Sequence, residues 1–179
     1  MADPQTTPAT RAARFVTHID TVLSRDGGAR RALPTGLRPW RGEPQAAMHK
    51  YVAPWLPSDS NPAQERAYYT VAALMTAASR SGIGNDSSIG TALGRASTKL
   101  SPTTTNLTLR KVARHTPAGP YTHLRGGVRL IQAASIPMDW ARLLSELEHW
   151  HYRGPRICTT WQQDYYRAAR RPSDSSDSE

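Results

Sequence analysis

The sequence predicts an all-α protein, folded as a compact multi-helix bundle with room for two small helical lobes. Three observations predict it. Apolar residues recur at helical spacing through most of the chain, helix-starting caps and Pro/Gly breakers separate the runs, and no stretch shows a convincing period-2 alternation. No internal repeat is visible.

The elements follow in order. "ARFVTHIDTVL" places Phe15, Ile19, Val22 and Leu23 at helical spacing, and "RDGG" at 25–28 ends that helix. A short basic piece, "ARRAL", and the loop "PTGLRPWRGEP" come next. Pro44 opens a helix through Met48 and Tyr51 that stops before Pro54. Asn61, Pro62 and Gln64 form a capping-box arrangement, with proline at the first helical position. Tyr68, Val71, Leu74, Met75 and Ala78 supply that helix's apolar face. The glycine-rich turn "SGIGNDSS" leads to a helix with Ile89, Leu93 and Ala96. Ser101 and Pro102 start another, which "RHTPAGP" at 114–120 ends. Three last helices are expected near 121–134, 137–151 and 155–170. In the middle one, Pro137 belongs to the first turn and Asp139 to the positive helix end. Its stripe of Trp140, Leu143, Leu144, Leu147 and Trp150 reads as core. Ile157, Trp161 and Tyr165 of the last helix should pack against it, while Arg156, Arg167 and Arg170 stay wet.

Composition bounds the rest. A chain of 179 residues suits one domain with a real core. The ends, "MADPQTTPAT" at 1–10 and "PSDSSDSE" at 172–179, are too poor in apolar groups to offset ordering entropy, so they are expected to be disordered tails around a single helical domain at 11–171. The lone Cys158 excludes an internal disulfide and a cysteine-based zinc site, which suits a reducing cytosol. The first long apolar run, "VAALMTAA" at 71–78, comes late and is too short to span a bilayer. A cytoplasmic protein with no signal peptide and no membrane partner is therefore expected.

The formal net charge is +9, and without the three acids of the last seven residues, Asp174, Asp177 and Glu179, the remainder carries +12. Such a balance favours a polyanionic partner. Lysine occurs only as Lys50, Lys99 and Lys111, so arginine, whose fork pairs well with phosphate, dominates.

Catalytic machinery is not evident. The acids are scattered, and Glu146 and Glu148 stand two apart, which points them to different helix faces. His149 and His151 in "EHWH" have the same unsuitable spacing for a metal. His18, His49, His115 and His123 stand alone. Neither a phosphate-binding GxxxxGK[ST] nor an HExxH occurs, and Cys158 has no activating neighbour in sequence. No catalytic residue, metal, cofactor or small-molecule substrate is expected.

Basic faces are better supported. Arg125 and Arg129 stand four apart opposite Leu124, Val128 and Ile131. Arg110 and Arg114 repeat that spacing with Lys111 beside them, opposite Leu109, Val112 and Ala113, although Leu107 falls on the basic side. Arg30 and Arg31 form a third candidate. No aromatic residues interleave with these patches, so contact with a phosphate backbone is favoured over base reading.

"MDWARLL" at 138–144 followed by "WQQDYY" at 161–166 resembles the C-terminal half of the CasB family, the small subunits of the type I-E CRISPR surveillance complex Cascade. In that family an "LDWA..L" helix precedes a final helix with a "WARDFY"-like end. "RFVTHIDTVLSRDGGARRAL" resembles its N-terminal helix and basic turn, "AYYTVAALMTA" its central helix and "SSIGTALGRA" its "SLGRAL"-type segment. "LRKVAR" and "LRGGVRL" take the places of its two arginine-bearing helices, so the resemblance runs from about residue 14 to 168. It implies a non-catalytic, all-helical subunit present in two copies among other Cascade subunits. Such subunits lie along the belly of the complex and help hold the guide RNA–target DNA region and the displaced DNA strand. By position Arg110, Lys111 and Arg129 match basic residues of the two arginine-bearing helices, and helical geometry adds Arg114 and Arg125. The chain departs from the family in its threonines before "LRKVAR" and in the glycines of "LRGGVRL", each of which weakens a helix by about 1 kcal/mol. A helix-turn-helix DNA-binding regulator is the rival reading, but no recognition helix rich in exposed Asn, Gln and Arg accompanies it.

Overall fold

The computed structural model describes residues 8–37, 46–77 and 87–170, and the side chains of 8–10 fall outside that description. The expected helix start at Pro44, most of the glycine-rich turn, most of the expected N-terminal tail and all of the C-terminal one also lie outside it. Within the described residues there are helices and 3₁₀ turns and no strand.

α1 (Pro8–Arg25) begins inside the expected N-terminal tail and buries Ala12, Phe15, Val16 and Ile19. It stops at Asp26, whose side chain caps the short α2 (Gly27–Ala32) by accepting from Gly28 N at 2.6 Å. The piece expected to be a loop continues as a 3₁₀ turn at Leu33–Leu37. The helix expected up to Pro54 shrinks to one α turn, α3 (His49–Val52), between 3₁₀ turns at Ala46–Met48 and Ala53–Trp55. Pro54 lacks the N–H that would close a further α turn on Lys50, so the tighter form takes over.

α4 (Pro62–Met75) has the capping box as expected: Asn61 Oδ1 accepts from Ala63 N and Gln64 N at 3.0 Å each, and Gln64 Oε1 accepts from Asn61 N at 3.1 Å. From Ala67 to Met75 only Thr70 escapes full burial, as befits a helix surrounded by others. α5 (Ile89–Ala96) and α6 (Pro102–Val112) are capped by Ser88 and Ser101, and α7 (Tyr121–Ala133) follows Pro120.

The last two helices differ from expectation. α8 (Trp140–Glu148) starts only after Pro137, because Asp139 is its N-cap and accepts from Arg142 N at 2.9 Å. Ser135, at φ 54°, turns the chain just before it. α9 (Trp150–Ala169) starts five residues earlier than expected and carries Pro155 inside it. His149 alone (φ −97°, ψ 6°) separates the two helices, closing one and opening the other. The carbonyl that Pro155 leaves unpaired belongs to the exposed His151, where water can satisfy it.

Packing forms two groups around one continuous core. α1, α4 and α8 pack together with the Leu33–Leu37 turn, and α5, α6, α7 and α9 form the second group. α8–α9 and α4–α7 contacts join them. The predicted stripe of α8 is buried throughout, and Trp150 lies 5.5 Å from Trp161 between ring centroids. The principal partner of α9, however, is α5 rather than α8. Gly90 and Gly94, one turn apart, let the α5 backbone meet the carbonyls of Trp161 and Tyr165, and a Cβ at Gly90 would overlap the backbone of Trp161.

Candidate nucleic-acid interface

Serine, aspartate and arginine tie α8 of the first group to the edge of α5 and α9 in the second. Ser88 Oγ donates to Asp164 Oδ2 at 2.7 Å, and Arg142 Nη2 and Arg167 Nη1 reach the same carboxylate at 3.3 and 3.5 Å. Arg142 also pairs with Glu146 at 3.1 Å, and Trp161 Nε1 donates to Glu146 Oε2 at 2.7 Å. Glu146 is therefore occupied structurally. Glu148 turns the other way and is buried against Tyr68; neither Tyr68 Oη nor Glu148 Oε2 has a hydrogen bond within normal reach. Burial pushes both carboxyls above the ordinary range, against the opposing pull of Trp161 and Arg142 on Glu146 and of His149, Tyr68 and Arg11 on Glu148.

Four of the six histidines are likewise engaged in packing. His18 faces the Tyr51 carbonyl at 3.2 Å, His49 Nδ1 meets Tyr69 Oη at 2.6 Å, His115 stacks on Trp150, and His149 Nδ1 lies 2.7 Å from the Ser145 carbonyl. Among the described residues no group of three His, Cys, Asp or Glu side chains is placed to hold a metal. Cys158 is buried, and its thiol is pushed up to about 11 by desolvation, which opposes formation of a nucleophilic thiolate.

Cations are distributed differently. From Ser87 to Met138 the chain contains no Asp or Glu but carries Arg95, Lys99, Arg110, Lys111, Arg114, Arg125 and Arg129. α6 and α7, which pack on each other, occupy the middle of this segment. Leu109 and Val112 of α6 and Leu124, Val128 and Ile131 of α7 are buried, so the predicted division holds for α7 and for α6 as far as Val112. Arg114, expected one turn after Arg110 on the basic face of α6, instead lies beyond the helix, because Ala113 (φ −88°, ψ 21°) is its C-cap and leaves the helical conformation. Arg110, Lys111, Arg114, Arg125 and Arg129 are all exposed, and none makes an ion pair or side-chain hydrogen bond with another described residue. Their charge is thus uncompensated within the described fold. Leu107, 51% exposed, lies on the basic side as its spacing requires.

The two glycines of "LRGGVRL" have separate uses. Gly127 faces inward, where a Cβ would lie 3.4 Å from Val112 of α6 and 3.6 Å from Ile89, within ordinary packing distance. Gly126 faces open space between the exposed Arg125 and Arg129.

The third candidate separates into its two residues. Arg30 is exposed but donates from Nε to the Leu23 carbonyl and from Nη2 to the Ser24 carbonyl, each at 2.7 Å. It closes the C-terminal end of α1, where a cation is favoured by the helix dipole. Arg31 is exposed and makes no such bond with the described residues.

Sequence reasoning passed over Arg66, whose guanidinium lies 4.1 Å from the centre of the Tyr121 ring and donates to the Ala118 carbonyl at 3.1 Å, tying the α6–α7 loop to α4. It also passed over Arg95, which with Thr91, Thr98, Asp164, Arg167 and Ala168 lines an open groove of about 320 Å³ between α5 and α9. The acid-free run from Ser87 was the available signal for Arg95.

A chain with this fold and this cationic pair of helices has known relatives. Residues 30–166 match the family described as CRISPR-associated protein Cse2 (CRISPR_cse2). The chain belongs to the Cse2 family. This is the family, also called CasB, of the small subunit of the type I-E Cascade surveillance complex, and its members are structural and non-catalytic. Among solved structures, a chain of a "CRISPR RNA-guided surveillance complex, pre-nicking" is 28% identical, superposes with a TM-score of 0.79, and is covered over 96% of its length by 91% of this chain. A second "CRISPR RNA-guided surveillance complex" chain is also 28% identical, with a TM-score of 0.76 and coverage of 91% of this chain and 95% of that one. CasB from Thermus thermophilus shares the fold at 22% identity, with a TM-score of 0.73 over 88% of this chain and 98% of its own. None of the curated proteins matches.

Proposed function

We propose that this Cse2-family protein is a nucleic-acid-binding subunit of a type I-E Cascade complex in antiviral defence, and that it stabilises the guide RNA–target DNA region and the displaced DNA strand through the α6–α7 face. The observation that carries this reading is the set of five exposed cations, four on two packed helices and Arg114 just past the end of α6, that have no partner among the described residues and lie in a segment with no acid. Guanidinium groups in that state bind phosphate without reading sequence, so base pairing with the guide would supply specificity. The likeness to chains of RNA-guided surveillance complexes supports the same assignment. Its partners are then the other Cascade subunits, a second copy of itself, guide RNA and target DNA, and its place is the cytoplasm.

An affinity pull-down of the tagged protein from its native cells, reading co-purifying proteins and RNA, tests the assignment. Recovery with a multi-subunit assembly and short repeat-derived RNAs is the expected result. A lone protein without RNA overturns it. Salt titration of the assembled complex against target DNA, with and without alanine at the five cations, tests the face itself.

A further inference from the structure

Three large apolar side chains are strongly exposed among the described residues: Leu107, Tyr152 and Tyr166. Tyr166 has local partners, since Asn106 Nδ2 donates to its Oη at 3.0 Å and its ring packs edge-to-face on Tyr165. Leu107 belongs to the α6 face already described. Tyr152, at 66%, is the most exposed of the three and lies in neither setting.

Its surroundings are specific. In the first turn of α9 the ring stands edge-to-face to two imidazoles, His149 at 5.7 Å and His151 at 6.5 Å between centroids. Both contacts hold the ring at the helix start while leaving most of it to solvent. Arg156, four residues on, lies on the same side of the helix, and Arg153, the next residue, projects about a quarter turn round the helix from the ring. Both arginines are exposed and neither is paired with a described residue. The neighbouring acid, Glu148, is buried away from this surface. On the side away from Tyr152 and Arg156, Gly154, Ile157, Cys158 and Trp161 are buried, so the Tyr152–Arg156 side is the solvent face of a firmly anchored helix, with Arg153 at its flank.

We infer that Tyr152, with Arg153 and Arg156, forms a stacking platform for an unpaired base of single-stranded nucleic acid. The inference rests on the nucleic-acid reading above and adds to it a contact with a base rather than a phosphate. An exposed aromatic ring beside two unpaired guanidinium groups offers a π-face and backbone charge neutralisation together, the combination that sequence-tolerant single-strand binding requires. A base inside a duplex is already stacked on both faces, so the platform selects unpaired strands. Charge complementarity favours a nucleic acid over a protein surface as the occupant.

The test uses the full chain and two single-stranded DNA oligonucleotides of equal length, one bearing bases with a central 2-aminopurine and one built from abasic residues. Tyr152→Ala is expected to weaken binding of the base-bearing strand roughly 5- to 150-fold, the range for one lost base–aromatic stack, and to abolish quenching of the 2-aminopurine. Binding of the abasic strand should stay unchanged, and Tyr152→Phe should behave as the unaltered chain. Equal effects on both strands, or none on either, overturn the platform and leave the nucleic-acid reading standing. Unaltered single-strand binding with impaired incorporation into the assembly assigns the ring to a protein partner and overturns it as well. If the unaltered chain binds neither strand, the platform is overturned, and the salt titration of the assembled complex with and without the five α6–α7 cations then decides the nucleic-acid reading separately.

Discussion

Trp161 and Glu146 meet across the α8–α9 corner, where the indole Nε1 donates to Oε2 at 2.7 Å. The indole is fully buried, and burial raises the carboxyl even with the indole and Arg142 pulling it down. Trp161→Ala should therefore cost about 3–5 kcal/mol as a large core truncation. Trp161→Phe keeps most of the volume and removes the donor, so its cost should be about 1–3 kcal/mol, that of a buried acceptor losing its partner. Denaturant unfolding separates the two. Full stability with lost nucleic-acid binding would instead make the ring a contact surface.

Glu148 should make stability depend on pH in an unusual direction. Its carboxyl faces Tyr68 from α4, Arg11 from α1 and His149 at the helix junction, and desolvation holds its folded pKa above the ordinary 4.5. A raised carboxyl binds more protons in the folded state, so its penalty is fully present above the folded pKa and is relieved as pH falls through that value toward 4.5. The stability of the unaltered chain relative to Glu148→Gln should thus rise on acidification from neutral pH. Melting curves of both proteins across that window check the sign.

Two glycine-to-alanine changes should act oppositely. At Gly90 the new Cβ overlaps the Trp161 backbone, which cannot move without separating α5 from α9. The overpacking should cost about 1–3 kcal/mol and outweigh the gain in helix propensity. At Gly126 nothing lies within 4 Å, so alanine should stabilise by about 0.5–1 kcal/mol. Equal effects at both sites would contradict the close α5–α9 approach.

Arg30 and Arg31 are adjacent yet should separate in experiment. Arg30→Ala removes both donors to the last carbonyls of α1 and should cost about 1 kcal/mol of stability. Arg31→Ala should stay within about 0.5 kcal/mol. Weakened nucleic-acid binding by Arg30→Ala at unchanged stability would overturn the capping role.

For the α6–α7 face, each true phosphate contact among Arg110, Lys111, Arg114, Arg125 and Arg129 should contribute about 0.7 to the log–log salt slope on single strands and about 0.9 on duplex. Alanine at all five should flatten the slope of the assembled complex by the sum of the real contacts. An unchanged slope and affinity would place the phosphate contacts elsewhere.

Local chemistry made much of this molecule legible from its residues. The Asn61–Gln64 capping box, the Ser101–Pro102 start and the buried stripes of α6, α7 and α8 depend on groups within about one helical turn of each other, and such spacing is written in the chain. The cationic character of α6 and α7 was legible for the same reason. Only the tertiary structure decided what depends on distant partners. It starts α9 at Trp150, because burial of Trp150 against His115 and Trp161 holds that turn helical ahead of Pro155. It seats α9 on the glycines of α5, and it buries Glu148 where spacing alone showed an ordinary acid. It also sorts the arginines: Arg30, Arg66 and Arg142 are spent on carbonyls, a ring and carboxylates, whereas those of the α6–α7 face stay unpaired among the described residues. A guanidinium's charge is a property of the residue, but its availability depends on which acceptors the fold brings within reach.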